Sequence, residues 1–251
     1  MADMTSPAGG ISSSDDMMSS LSSLGTLTAT LAHSLVEDYA KNESPSESTS
    51  RILNAFLNHL PPDGSTVIAN DIINKKDDLR QLADHYISSI LIPRTVRAGG
   101  GKTPKAISAR PGGDLDDVDD IAAEITAQRR DQTKLKADCL ARDGNCCLLT
   151  RVYDVNKADE ILSDAERQST TTAVTEAAHI IPFSLAAFDE QQRHYKATIW
   201  EAIYHMFPSI RDFSTDNIND PQNVLTMWAG LHSEFGKLEL CLEPTPLDGV
   251  E

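Results

Sequence analysis

Outside a tail and a linker, helical apolar spacing recurs through the first 140 residues, and short runs of strand type appear only after Asp143; that order constrains the fold more than any other feature of the chain. Residues 1–25 are rich in Ser, Met and Asp without periodicity and read as a disordered tail. Leu27, Leu31, Leu35 and Val36 then predict a helix over 27–39. Ser50 precedes a second helix with Ile52, Leu53, Phe56, Leu57 and Leu60 on one face, and Pro61-Pro62 reads as its stop. Leu79, Leu82, Ala83, Tyr86, Ile87 and Ile90 make one stripe, which predicts a helix over 76–92 ended by Pro93. A further helix is expected from Ile121 to Leu140, entered through the acidic run 114–120. Strands are predicted at 146–150, 177–181 and 224–227, and at the alternating Leu238, Leu240 and Leu242. Helices over 185–207 and 229–235 lie among them, and residues 151–175 read as a polar insertion. The pattern is that of an α+β chain: a helical region (26–93), a flexible linker (94–120) and a mixed domain (121–251).

The formal net charge is −16, and both halves are acidic. Phosphate contact depends on Lys and Arg, so this balance counts against a nucleic-acid partner. The linker contains Gly99-Gly100-Gly101-Lys102-Thr103, which looks like the end of a phosphate-binding loop. Val96 stands where that pattern needs glycine, and Pro104 spoils the helix that should follow, so flexibility explains the glycines better. Cys139, Cys146, Cys147 and Cys241 contain no CxxC pair, which predicts free thiols and no structural zinc. The start of the chain has no basic segment followed by an apolar one, and the run Ile87–Ile92 is too short to span a bilayer. These features predict an intracellular protein of nucleus or cytoplasm, neither secreted nor in the membrane.

Three segments carry a resemblance. Cys139-Leu-Ala-Arg-Asp-Gly-Asn-Cys-Cys-Leu-Leu-Thr150, Glu176-Ala-Ala-His-Ile-Ile-Pro-Phe183 and Asn223-Val-Leu-Thr-Met-Trp-Ala-Gly-Leu-His-Ser-Glu-Phe235 resemble the HNH endonuclease domain, most closely the version found in fungal proteins. The resemblance covers about residues 139–243 and implies a ββα-metal fold. It further implies a DNA-binding hydrolase that cuts phosphodiester bonds with a divalent ion (Mg, Mn, Ni or Zn). By the same resemblance His179 is the general base, His232 a metal ligand, and Asn223 the residue that orients His179 or its loop. The chemistry suits these types: a neutral imidazole accepts a proton near neutral pH, an amide can donate and accept, and a cation neutralises charge developing on phosphate.

Each residue also has a plainer reading. A histidine among Ala, Ile and Pro is more often a packed core residue, and an asparagine at 223 is more often a turn residue. His194 and His205 have no motif support, and Trp200 and Trp228 read as core. The chain departs from the family pattern at Ala178, where many members carry a metal-binding Asp or His, and at Gly236, one helical turn beyond His232. Glu176 and Asp189 are candidate replacements. Two readings therefore stand: a metal-dependent endonuclease, favoured by the three motif residues, and a catalytically degenerate HNH-fold interaction module, favoured by the charge, Ala178 and Gly236.

Overall fold

The computed structural model describes residues 13–91, 115–128 and 132–242. The first twelve residues of the expected tail and most of the expected linker, with its Gly-rich run, lie outside the described residues. Two compact units meet between Ala83 and Asp84, ahead of the expected boundary at 93. The reason is that Ile90 packs into the second unit's core.

In the first unit, α1 (Ser13–Ala40), α2 (Thr49–His59) and α3 (Pro62–Asn74) pack against one another. The first helix opens at Ser13, ahead of the start that apolar spacing gives. Its buried stripe is Ala32 and Val36, whereas Leu27 and Leu31 are exposed. The third helix was not legible because the proline pair reads as a stop. Proline is equally suited to the first position of a helix, where no backbone N–H is needed and its fixed φ is already helical. Ile68, Ala69 and Ile72 of α3 are fully buried.

The predicted 76–92 helix is α4 (Leu79–Tyr86) continued by a π turn over Ile87–Leu91. Ser88 and Ser89 both donate their hydroxyls to the His85 carbonyl, a competition with backbone amides that loosens this turn. In the second unit the single helix expected over 121–140 is two helices, α5 (Leu115–Glu124) and α6 (Gln132–Arg142). Long-range acceptors intercept the backbone between them: Thr126 N donates to Thr215 Oγ1 and Gln128 N to the Ala186 carbonyl.

Two short helices, α7 (Val155–Ile161) and α8 (Asp164–Ser169), fill the polar insertion. They lie between β1 (Tyr153–Asp154) and β2 (Thr172–Ala173), which pair in parallel. The helix expected from Leu185 begins only at Arg193, as α9 (Arg193–Met206). Asp189 accepts from Gln192 N in a capping box just before it. Arg193 Nη1 donates to the Ile125 and Ala122 carbonyls, capping the end of α5. Ile121, Phe183, Leu185, Ala197, Trp200 and Ile218 form the core around α9, and the Trp200 indole N–H is satisfied by the Leu185 carbonyl.

The other sheet is an antiparallel ribbon of β3 (Thr175–His179) and β4 (Val224–Trp228), with Thr175 opposite Trp228 and His179 opposite Val224. It packs between α6 and α10 (Ala229–Gly236), and both helices touch both strands. The other two predicted strands do not form. Cys146 makes one bridge to Tyr153, and Cys147 begins a tight turn closed by Arg151 N on its carbonyl. Leu238 takes a left-handed φ of 61° as α10 ends, so 238–242 leaves without a partner strand among the described residues. No helix among those residues is long and apolar enough to cross a membrane.

Candidate active site

His179 is the last residue of β3, and the chain leaves the ribbon directly after it through Ile180 and Ile181. Asn223 holds that exit. Its buried side chain accepts from Ile181 N at 2.8 Å and donates to the carbonyls of Ile181 and Ile218, each at 3.0 Å. The backbone of Asn223 also accepts from Ile180 N at 2.8 Å. Both N–H donors and the oxygen of the amide thus tie the strand end to its neighbouring loop, which is why an amide suits this position. The His179 ring is half-buried, 6.0 Å from the Phe183 ring, and its Nε2 lies 3.3 Å from Asn219 Oδ1.

His232 sits one turn into α10 and meets β3 at Glu176, not at the His179 end. Its Nδ1 lies 2.6 Å from Glu176 Oε2, with both side chains partly exposed. Three residues of strand, about 10 Å, separate Glu176 from His179. One strand therefore links the two motif histidines: His179 at its end, and His232 through Glu176. Among the described residues no group of three His, Cys, Asp or Glu side chains gathers at ligand distance. Ala178 is fully buried, so the position directly before His179 is packed by a methyl group and offers no ligand. Asp189 is occupied by its capping role at Gln192 and is no replacement. Glu176 remains, and a carboxylate on Nδ1 leaves Nε2 of His232 free to bind a cation, with orientation fixed from behind.

The surrounding frame was not legible in the sequence. Arg142, at the end of α6, donates to the carbonyls of Pro221 and Val224 on either side of Asn223, and pairs with Asp143 at 2.7 Å. Asp143 Oδ2 in turn accepts from Thr226 N on β4. Burial pushes the Asp143 carboxyl up, but Arg142 and Thr226 outweigh it and hold the group below the usual carboxylate range. Gly144 supplies the left-handed φ of 69° that turns the chain after this pair. The cysteines are unpaired, three of them buried. Burial raises the Cys147 thiol, yet hydrogen bonds from Thr150 and from the amides of Trp228 and Leu149 bring it below its ordinary value. Trp200 is core, as its helical position predicts, but Trp228 is 43% exposed. It is the last residue of β4 and the N-cap of α10, with Gly230 beneath its ring. His194 is exposed and pairs with Asp119 at 2.8 Å.

Residues 147–243 match the model of the HNH endonuclease family. The match takes in β3, β4, α10 and all three motif residues, and this segment is an HNH-type domain in a chain of α+β class. No curated protein and no solved structure matches the chain.

Proposed function

We propose that this domain is a metal-dependent endonuclease acting on DNA, with His179 as general base, Asn223 as the residue that fixes its strand end, and His232 as a metal ligand. The observation that carries the reading is the arrangement along β3. The strand ends in an imidazole clamped by Asn223, and through Glu176 it also holds the imidazole of His232. His232 Nε2, oriented from behind by the Glu176 carboxylate on Nδ1, is a single protein donor for a divalent ion that would take its remaining ligands from water and from the substrate phosphate. Such an ion, when bound, supplies Lewis-acid stabilisation of charge on the phosphate oxygens. His179 accepts a proton from the attacking water, a task suited to a neutral imidazole. Asn223 keeps the backbone on which it stands from drifting.

One observation favours the second reading, an interaction module without catalysis: the absence of a three-ligand cluster among the described residues. A plasmid-nicking assay of the full chain with Mg²⁺, Mn²⁺, Ni²⁺ or Zn²⁺ separates the two. The nuclease reading expects nicking that needs one of these ions and is abolished in His179→Ala. No nicking with any of them, under conditions where the protein is folded, leaves the interaction module.

A further inference from the structure

Among the described residues Trp228 carries the one exposed Phe, Tyr or Trp ring. The ring is seated, not loose. It rests against the backbone at Gly230, where a Cβ would lie 3.1–3.2 Å from three of its carbons. The strand end that carries it is pinned along both edges. On the β3 side Ala229 N donates to the Val174 carbonyl. On the other edge Leu148 N donates to the Thr226 carbonyl, and the Trp228 amide donates to the Cys147 sulfur. These bonds bring three more exposed apolar residues, Val174, Leu148 and Leu149, to the same end of the ribbon. An aromatic ring fixed in advance loses little freedom when a planar group stacks on it.

The position of Trp228 narrows what that group is. Trp228 is the N-cap of α10, and His232 follows four residues later, about 6 Å along the helix axis. An ion at His232 that draws ligands from a substrate phosphate brings the adjoining nucleotide within reach of the indole. The charge of the chain decides the form of the strand. A grip on duplex DNA comes mainly from Lys and Arg on phosphates, and a formal charge of −16 leaves little of it. Inside a duplex, moreover, each base is stacked between its neighbours. An unpaired base offers a free π face, and stacking on an aromatic side chain contributes affinity for any base. We infer that Trp228 is a stacking platform for an unpaired nucleobase, so that the domain takes unpaired stretches of DNA in preference to a closed duplex. The nature of this ligand rests on the nuclease reading; the exposure and seating of the ring do not.

The test is binding of a short labelled oligothymidylate, and of a duplex of the same length, to the full chain in EDTA, read by fluorescence anisotropy. Wild type binds the single strand about tenfold or more tightly than the duplex, and binding quenches its tryptophan emission. Trp200 is fully buried, so the quenching reports on Trp228. Trp228→Ala and Trp228→Leu lose about tenfold in affinity for the single strand and keep the wild-type affinity for the duplex. Trp228→Phe, which retains a ring, keeps most of the single-strand affinity. Leucine preserves apolar bulk, so its failure to rescue separates stacking from plain apolar contact, and it replaces alanine if that variant does not fold by circular dichroism. Equal affinity for the two probes, no quenching, or alanine and leucine variants with wild-type affinity overturns the inference. Self-association that depends on Trp228, with neither probe affected, also overturns it and makes this end of the ribbon a contact between proteins. The two readings fail separately. No nicking with any ion, beside single-strand binding that needs Trp228, defeats the nuclease reading alone. Metal-dependent nicking by a protein whose single-strand binding ignores Trp228 defeats the platform alone.

Discussion

Glu176 and His232, fifty-six residues apart in sequence, face each other at 2.6 Å across the ribbon and α10. A carboxylate behind a metal-binding imidazole fixes its orientation and tautomer, and losing such a partner costs about 10- to 100-fold in metal affinity. Glu176→Gln is therefore expected to weaken Mn²⁺ or Mg²⁺ binding by that factor in calorimetric titration, and His232→Ala to remove it. An affinity in Glu176→Gln equal to wild type would show that the pair is only a surface contact.

Gly236 is the last residue of α10, and the left-handed position at this helix end falls on Leu238 instead. A side chain at 236 is thus free of backbone strain and lies one turn beyond His232. Gly236→Asp should bind Mn²⁺ about tenfold more tightly than wild type, an outcome of roughly 1.4 kcal/mol. The like-signed dipole at the helix C-terminus offsets a few tenths of that gain. Unchanged affinity would mean that residue 236 does not face the cation.

Asn223→Ala deletes three hydrogen bonds, one buried and two partly buried, and leaves Ile181 N and two carbonyls without this partner. The expected cost is about 2–3 kcal/mol of stability, read from the midpoint of a urea melt at unchanged slope. The Ile181 amide should exchange with solvent faster than the global change accounts for. Uniform loss of protection across the domain would instead make Asn223 an ordinary core residue.

Asp154 predicts a pH dependence. Its carboxylate is buried, accepts from Thr175 Oγ1 at 2.5 Å and from the amides of Asn156 and Lys157, and lies 3.6 Å from Lys136 Nζ. Burial pushes its pKa up, but these partners outweigh it and leave the group below its ordinary value. A depressed folded pKa contributes stability above the unfolded value of about 3.9. That contribution is lost as pH falls through the folded value. Asp154→Asn should be less stable than wild type by a constant amount from pH 5 to 7, and the gap should close below about pH 4. A gap that persists at low pH would assign the effect to shape, not charge.

The sequence by itself determined which segments make the ribbon and its helix, with strands expected at 177–181 and 224–227 where the ribbon has 175–179 and 224–228, because short apolar runs and the spacing from Asn223 to His232 are local patterns. It also marked His179, Asn223 and His232 as the residues to examine, since their order and spacing survive without any knowledge of the fold. Tertiary structure decided the rest. Leu238, Leu240 and Leu242 alternate like a strand, but a strand needs a neighbour and Leu238 turns the chain away. The 121–140 helix breaks because Thr215 and Ala186 take its backbone donors from far away in sequence. Trp228 was expected in the core, yet at the junction of β4 and α10 it is exposed. Glu176 opens the segment that carries His179, but its pairing with His232 and the approach of Asn219 to His179 were not legible, because hydrogen bonds between distant segments leave no periodicity in a sequence. Motif spacing follows the backbone, while the orientation of each imidazole is set by whatever packing brings against it.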